Sequence, residues 1–177
     1  ADIILMQLEI PIDTVEYAAT IACKYGKKVI LNPAPASSLS NSFLKNVHTI
    51  LPNRIEAEML SGIKVMNIES AHRAAQAIGE KGIENVVITL GKDGAYVKEK
   101  DEYTMIPAKE VETIDTTGAG DAFIGSLLYQ LAEDGVTTDS IADLTEDKLE
   151  EYLKKSNGYC AKSVLENGAI ASYPTSL

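Results

Sequence analysis

The chain has 177 residues, 45% of them hydrophobic, which suits one domain with a core buried from both faces of a sheet. Sixteen Lys and Arg against 26 Asp and Glu leave a net charge of -10, which argues against nucleic acid as a partner but not against a small phosphate ligand that backbone N–H groups can bind. No apolar run reaches the roughly 18 residues of a membrane span, and no secretory leader pattern is present.

In chain order, residues 3–8 read as a buried strand, and Pro11 opens a helix that runs to about Tyr25 and stops at Gly26. Val29–Leu31 form a short strand ending at Asn32-Pro33-Ala34-Pro35, where two close prolines demand a shaped loop. A short helix near Ser42–Asn46 precedes a strand at Val47–Leu51. Pro52-Asn53 starts a helix through about Leu60, and a second helix spans about Glu69–Glu80. Asn85–Leu90 is the clearest buried strand, followed by Gly91-Lys92-Asp93-Gly94. Ala95–Glu99 and Tyr103–Pro107 flank a charged turn as a hairpin, and Val111–Ile114 reads as another short strand. After Asp115-Thr116-Thr117-Gly118-Ala119-Gly120-Asp121 comes a helix with Phe123, Leu127, Leu128 and Leu131 at helical spacing. Thr137–Asp147 is a polar loop, and a last helix runs from about Lys148 to Leu165. Cys23 and Cys160 fall in helices and read as buried, reduced thiols of a cytoplasmic protein. The strand-like first residues, without Met, read as the inside of something longer on the N-terminal side.

Strands alternating with helices imply a mostly parallel sheet covered on both faces, with ligands bound beyond the carboxyl ends of the strands. Glu9, Asn32, Asn53, Gly91 and Asp115 each follow a predicted strand, so these residues should line one crevice. Within that frame Gly118-Ala119-Gly120-Asp121 opens a helix. The glycines let the backbone approach a ligand closely, and the leading amides with the helix dipole form an anion hole. Phosphoryl transfer builds negative charge where such a hole acts, and Asp121 beside it suits proton removal from an attacking hydroxyl. The plain alternative is a Gly-rich turn with Asp121 capping the helix. Phe123 breaks a dinucleotide fingerprint, and Gly91-Lys92-Asp93 does not continue as a P-loop. His48 and His72 stand without a ligand-spaced Cys or carboxylate cluster.

The longer string Asp115-Thr116-Thr117-Gly118-Ala119-Gly120-Asp121-Ala122-Phe123 closely resembles the signature of the ribokinase family of carbohydrate kinases, also called phosphofructokinase-B type. Pro52-Asn53-Arg54-Ile55-Glu56-Ala57-Glu58 resembles the family's Asn-x-x-Glu element, and Thr89–Gly94 its nucleotide turn. Gln7-Leu8-Glu9 and Leu31-Asn32-Pro33-Ala34-Pro35 are similar to the ribokinase branch more than to fructokinases or adenosine kinases. The resemblance covers essentially residues 1–177 and implies a three-layer αβα fold with a mostly parallel central sheet. The N-terminal part of that fold, with its β lid and Gly-Gly-rich sugar segment, is missing here.

Carried over position by position, the resemblance implies ATP-dependent phosphorylation of a sugar's primary hydroxyl, D-ribose in the ribokinase branch, with Mg²⁺ required and K⁺ activating. Asp121 would be the general base, and Gly118, Ala119 and Gly120 the anion-hole amides. Glu9 and Asp115 would meet the sugar. Asn53, Thr89, Gly91, Gly120 and Asn157 would contact the nucleotide, and Glu56 would orient Mg²⁺ through water. Asp115, Thr117, Ser163, Glu166, Gly168 and Ser172 would surround K⁺, largely through main-chain carbonyls. The bland readings are an N-cap for Asn53, solvated carboxylates for Glu9 and Glu56, and a surface position for Asn157. The alternatives are a kinase of another sugar or nucleoside and a non-catalytic nucleotide-binding module. Family members often dimerise through the lid.

Overall fold

The structure, a computed structural model, describes residues 1–99, 101–141 and 144–176. It falls into two compact units, the first comprising Ala1–Leu90 with Tyr96–Met105 and the second Gly91–Ala95 with Ile106–Leu177.

The first unit is built on strands β1 (Ile3–Met6), β2 (Lys28–Leu31), β3 (Thr49–Ile50), β4 (Asn85–Thr89), β5 (Ala95–Glu99) and β6 (Glu102–Ile106), hydrogen-bonded in that order in one six-stranded sheet. The first four are mutually parallel, with Leu5 opposite Ile30, Leu31 opposite Ile50 and Ile50 opposite Val86. Parallel strands need crossovers. These are supplied by α1 (Ile12–Lys24), α2 (Asn41–Leu44), α3 (Arg54–Ser61) and α4 (Ile68–Gly79). Val86, Val87 and Ile88 of β4 are all essentially inaccessible, as an unbroken apolar run requires when both sheet faces are covered.

On α4, Ala71, Ala74, Ala75 and Ile78 recur at intervals of three and four and are fully buried. Small alanines let the helix lie close to the sheet, where Phe43, Leu44, Ile50 and Ile88 complete the core. Truncating Ile50 or Ile88 to Ala would cost about 2–5 kcal/mol through lost burial and the cavity left behind. Gly62 ends α3 in the left-handed region, φ 74°, where a side chain would be strained.

The second unit pairs α5 (Ala119–Glu133) with α6 (Glu146–Ser163). Phe123, Leu127 and Leu131 of α5 and Tyr152 and Leu153 of α6 are buried; Leu128 is only half-buried. The buried Gln130 side-chain amide donates to the Tyr152 carbonyl at 3.0 Å and to the Ser156 hydroxyl at 3.2 Å. Near one end, Asp134 accepts from the Tyr152 hydroxyl at 2.7 Å and pairs with Lys148 at 2.8 Å. Burial, then the Asp134 bond, pushes the Tyr152 phenol up to about 12.

Several expectations are corrected. The first and third strands are shorter than read, ending at Met6 and reduced to Thr49–Ile50. Pro11 stands at the N-cap of α1 rather than inside it. Val111–Ile114 is not a strand: Ile114 is exposed, and the Ile114 and Asp115 amides donate to the Val164 carbonyl, which ends α6. Val111, Thr113 and Ile114 favour a strand by propensity, but the backbone at the segment's end is spent on the terminus of α6 and not on a neighbouring strand. Cys23 is exposed, not buried, and Cys160 is half-buried; both are free thiols. The last helix starts earlier than read, because Thr145 caps it by accepting the Lys148 amide. Lys100 of the charged turn and Ala142 and Asp143 of the polar loop lie outside the described residues. No helix among the described residues is long and apolar enough to cross a membrane.

Candidate active site

Because β1–β4 run the same way, the segments after them emerge at one end of the sheet. Glu9 is exposed there, and Asn32 is buried with its amide on the Met6 carbonyl at 2.9 Å. Asn53 bridges in parallel to Thr89, and the Thr89 amide donates to the Pro52 carbonyl at 2.9 Å. The first unit therefore brings together Asn53 and Thr89, two of the residues read as nucleotide contacts.

Asn53 caps α3. Its Oδ1 accepts from the Ile55 and Glu56 amides, while its own N–H and Nδ2 donate to the two Glu56 carboxylate oxygens, each at 2.8 Å. Glu56 is buried, 6% exposed, so it is not a solvated face. Burial pushes its carboxyl above the usual range, partly offset by the two Asn53 bonds. Arg54, which sequence reading passed over, donates to the Val65 and Leu90 carbonyls at 3.2 Å and ties the start of α3 to the end of β4.

In the second unit Gly91 sits in a tight helical turn at φ 63°. The Asn157 side-chain amide donates to the Pro107 carbonyl at 3.2 Å, which fastens the chain after β6 to α6. Gly118 is the N-cap of α5 at φ 75°, and Asp121 lies in the first turn, exposed. A Cβ at residue 118 would collide with the Tyr173 hydroxyl and come within 2.9 Å of the Ala169 Cβ, so glycine is required for two reasons. The helix leaves its leading amides without carbonyls of its own. The Ala119 amide donates instead to the Thr116 carbonyl at 3.1 Å, so an oxyanion there would have to share or displace that bond.

Asp115 organises the loop before α5. One oxygen accepts from the Thr117 amide at 2.9 Å and hydroxyl at 2.7 Å; the other accepts from the Gly168 amide at 2.9 Å. The Gly168 amide first, then the Thr117 donors, hold its carboxyl below the usual value. The Ser172 hydroxyl donates to the Gly168 and Ala169 carbonyls at 2.6 and 2.7 Å, and the Ser163 hydroxyl to the Cys160 carbonyl at 2.8 Å. Glu166 is exposed. Asp115, Thr117, Gly168 and Ser172 are thus connected through hydrogen bonds, while Ser163 bonds within its own helix end. Tyr173 was missed by sequence reading: it follows Ser172 and its hydroxyl donates to the Gly118 carbonyl at 3.2 Å. No spacing rule flags a tyrosine 55 residues from its partner. Beside it lies a pocket of about 310 Å³ whose lining includes Asp121, Gly125, Tyr129, Tyr159 and Tyr173. Among the described residues no group of three His, Cys, Asp or Glu could hold a metal ion.

A mostly parallel sheet with polar punctuation beyond its strands, in one unit, and a clamped Gly-rich loop heading a helix, in the other, define an α/β protein. Residues 1–176 match the pfkB family of carbohydrate kinases, and the chain belongs to that family. It is 42% identical over 175 residues to a ribokinase of Haemophilus influenzae, covering 99% of this chain and 53% of that protein. It is 34% identical over 174 residues to a deoxyribokinase of Salmonella typhi, covering 98% of this chain and 53% of that one. A solved Arabidopsis thaliana ribokinase, complexed with ribose and ATP, superposes with a TM-score of 0.83 at 25% identity, covering 98% of this chain and 53% of that chain. That likeness places the chain in the three-layer αβα ribokinase-like class with a mostly parallel sheet. The chain spans about half the length of the curated relatives it matches.

Proposed function

We propose that this chain is the catalytic, nucleotide-binding part of a kinase that transfers the γ-phosphoryl group of ATP to the primary hydroxyl of D-ribose, giving ribose 5-phosphate. The observation that carries this reading is the loop Asp115–Gly120, clamped to Gly168, with Asp121 immediately behind it on the first turn of α5. Asp121 takes the proton from the sugar hydroxyl as its oxygen attacks phosphorus. The amides of Gly118, Ala119 and Gly120 and the dipole of α5 meet the charge that develops on the transferred group. Positioning supplies most of the rate in such a transfer. Fixed amides are worth more here than flexible charges, which suits a chain with a net charge of -10.

Mg²⁺ fits the donor set as a companion of the phosphates rather than as an ion in a protein cage. Glu56, its two oxygens already shared with Asn53, would hold a water of that ion, and Asn53 and Thr89 would meet the phosphates beside it. Gly91, Gly120 and Asn157 would complete the nucleotide contacts, and Glu9 and Asp115 would meet the sugar. K⁺ suits the hard oxygens around Ser172, where the Gly168 and Ala169 carbonyls converge on one hydroxyl. Thr117, Ser163 and Glu166 would close that shell around Asp115. The resemblance to a deoxyribokinase favours 2-deoxyribose as the second acceptor to try. We place the activity in the cytoplasm, where ATP and free pentose meet.

The test uses this chain completed to the length of its relatives, with ATP and a panel of sugars, following ADP release. Ribose should give the highest kcat/KM. Asp121→Asn should lower kcat by about 10²–10⁴-fold with nucleotide affinity nearly unchanged. Near-normal turnover in that variant would remove Asp121 from its role.

A further inference from the structure

The residue after Ser172 was assigned nothing by motif, yet it reaches the proposed catalytic loop. Four observations converge on it. The Tyr173 hydroxyl donates to the Gly118 carbonyl at 3.2 Å, and the same carbonyl accepts the Ala122 amide at 2.8 Å as the first bond of α5. The space that a Cβ on Gly118 would fill is taken by the Tyr173 hydroxyl and the Ala169 side chain. The segment carrying Tyr173 is anchored on both sides. Ser172 ties back to Gly168 and Ala169, Gly168 is held by Asp115, and the Tyr159 hydroxyl donates to the Pro174 carbonyl at 2.8 Å. Finally, Tyr173 and Asp121 line the same pocket.

We propose that Tyr173 is a positioning residue, whose hydroxyl fixes the Gly118–Ala119 peptide plane and thereby aims the amides that lead into Asp121. A peptide unit is planar, so its carbonyl and the next N–H turn together. Tyr173 and Ala122 hold the carbonyl side of this plane, and Thr116 holds the Ala119 N–H side. Glycine at 118 has the widest choice of backbone angles. Without the phenol, the loop's most permissive residue would be restrained on its carbonyl side by α5 alone. Burial, then the nearby Asp121 carboxylate and Tyr159, keep the Tyr173 phenol protonated, so it remains a donor across the pH range in which a kinase works. The effect on turnover rests on the kinase reading above; the effect on the loop does not.

Tyr173→Phe removes one oxygen and keeps the ring. In the 177-residue chain, amide hydrogen exchange should quicken at Ala119 and Ala122 by roughly 3- to 10-fold, the worth of one neutral hydrogen bond, with exchange at Val87 and Ile88 unchanged. In the chain completed to the length of its relatives, kcat should fall by roughly the same factor while KM for ATP and for sugar stays put, because the amides act on the transition state. Unchanged exchange at Ala119 and Ala122 overturns the proposal, as does equal quickening at Val87 and Ile88, which would mean general loosening. Unchanged kcat alongside local quickening overturns the catalytic half of it. Asp121→Asn in the same assay separates the two failures. If wild type phosphorylates no sugar, the kinase reading falls while the exchange data still decide whether Tyr173 sets the loop. If Asp121→Asn is inactive and Tyr173→Phe is not impaired, only the positioning role falls.

Discussion

Asn53 and Glu56 hold each other from both directions: Asn53 Oδ1 accepts the Glu56 amide at 3.0 Å, and the Glu56 carboxylate accepts the Asn53 amide and side-chain Nδ2 at 2.8 Å. The pair caps α3 and buries a carboxylate at the end of the sheet where β4 stops.

That burial has a pH signature. The folded carboxyl lies above its ordinary 4.5, so its stabilising contribution is complete below that pH and is lost as pH rises through the folded value. Glu56→Gln cannot titrate. The stability of the wild-type chain relative to this variant should therefore decline as pH climbs from about 4.5, then level off. Urea unfolding at a series of pH values measures this, and a flat difference would show that the carboxyl is not desolvated.

Gly118 and Gly120 should answer alanine differently. Gly118→Ala forces a left-handed residue against Tyr173 and Ala169, at a cost of about 2 kcal/mol or more in urea unfolding. Around Gly120 the space a Cβ would fill is open and its φ is ordinary, so Gly120→Ala should leave stability within about 0.5 kcal/mol. In the chain completed to the length of its relatives, the proposed role of Gly120 in the anion hole expects the same methyl to lower turnover. Normal turnover in Gly120→Ala would place the anion elsewhere.

The proposed K⁺ site joins the Asp115 carboxylate, kept ionised by Gly168 and Thr117, to the carbonyls gathered by Ser172. Replacing Na⁺ by K⁺ at constant ionic strength should raise turnover of the completed kinase, and Ser172→Ala should blunt that response. Equal rates in the two salts would remove the site from this account.

Alone, the 177-residue chain should bind Mg·ATP weakly and phosphorylate almost no ribose, since relatives are about twice as long. Calorimetry with ATP and a coupled ADP assay with ribose are the measurements. Robust ribose-dependent ADP release would mean that these residues hold the whole sugar site.

Much of this was readable in the residues because local rules dominate where local chemistry is strong. Asn53 before a helical pattern marks an N-cap, Val86–Ile88 can only be buried, and Gly118-Ala119-Gly120 before the pattern of α5 marks a tight backbone turn. Boundaries failed where tertiary pairing decides. Thr49–Ile50 is two residues long because only these two stand in register with β2 and β4, and Val111–Ile114 is no strand because its end bonds a helix terminus. Roles that depend on distant partners were invisible: Arg54 reaches Leu90, and Tyr173 reaches Gly118, with no periodicity linking either pair. Cys23 was misread because a small thiol among alanines looks like core, whereas α1 turns Val15, Ala19 and Ala22 inward and leaves position 23 outside.

Gln130 sets a further constraint on the helix pair. Helices joined only through leucines and alanines can slide by a turn, about 5.4 Å, while trading one apolar contact for another. The buried Gln130 amide permits no such trade, because any axial slip strands its N–H groups away from the Tyr152 carbonyl and the Ser156 hydroxyl. It acts as a vernier lock between α5 and α6. The spacing from Asp121 near one end of α5 to Asn157, one residue beyond Ser156, is held as a fixed length, so the residues proposed as base and nucleotide contact keep their separation through thermal motion.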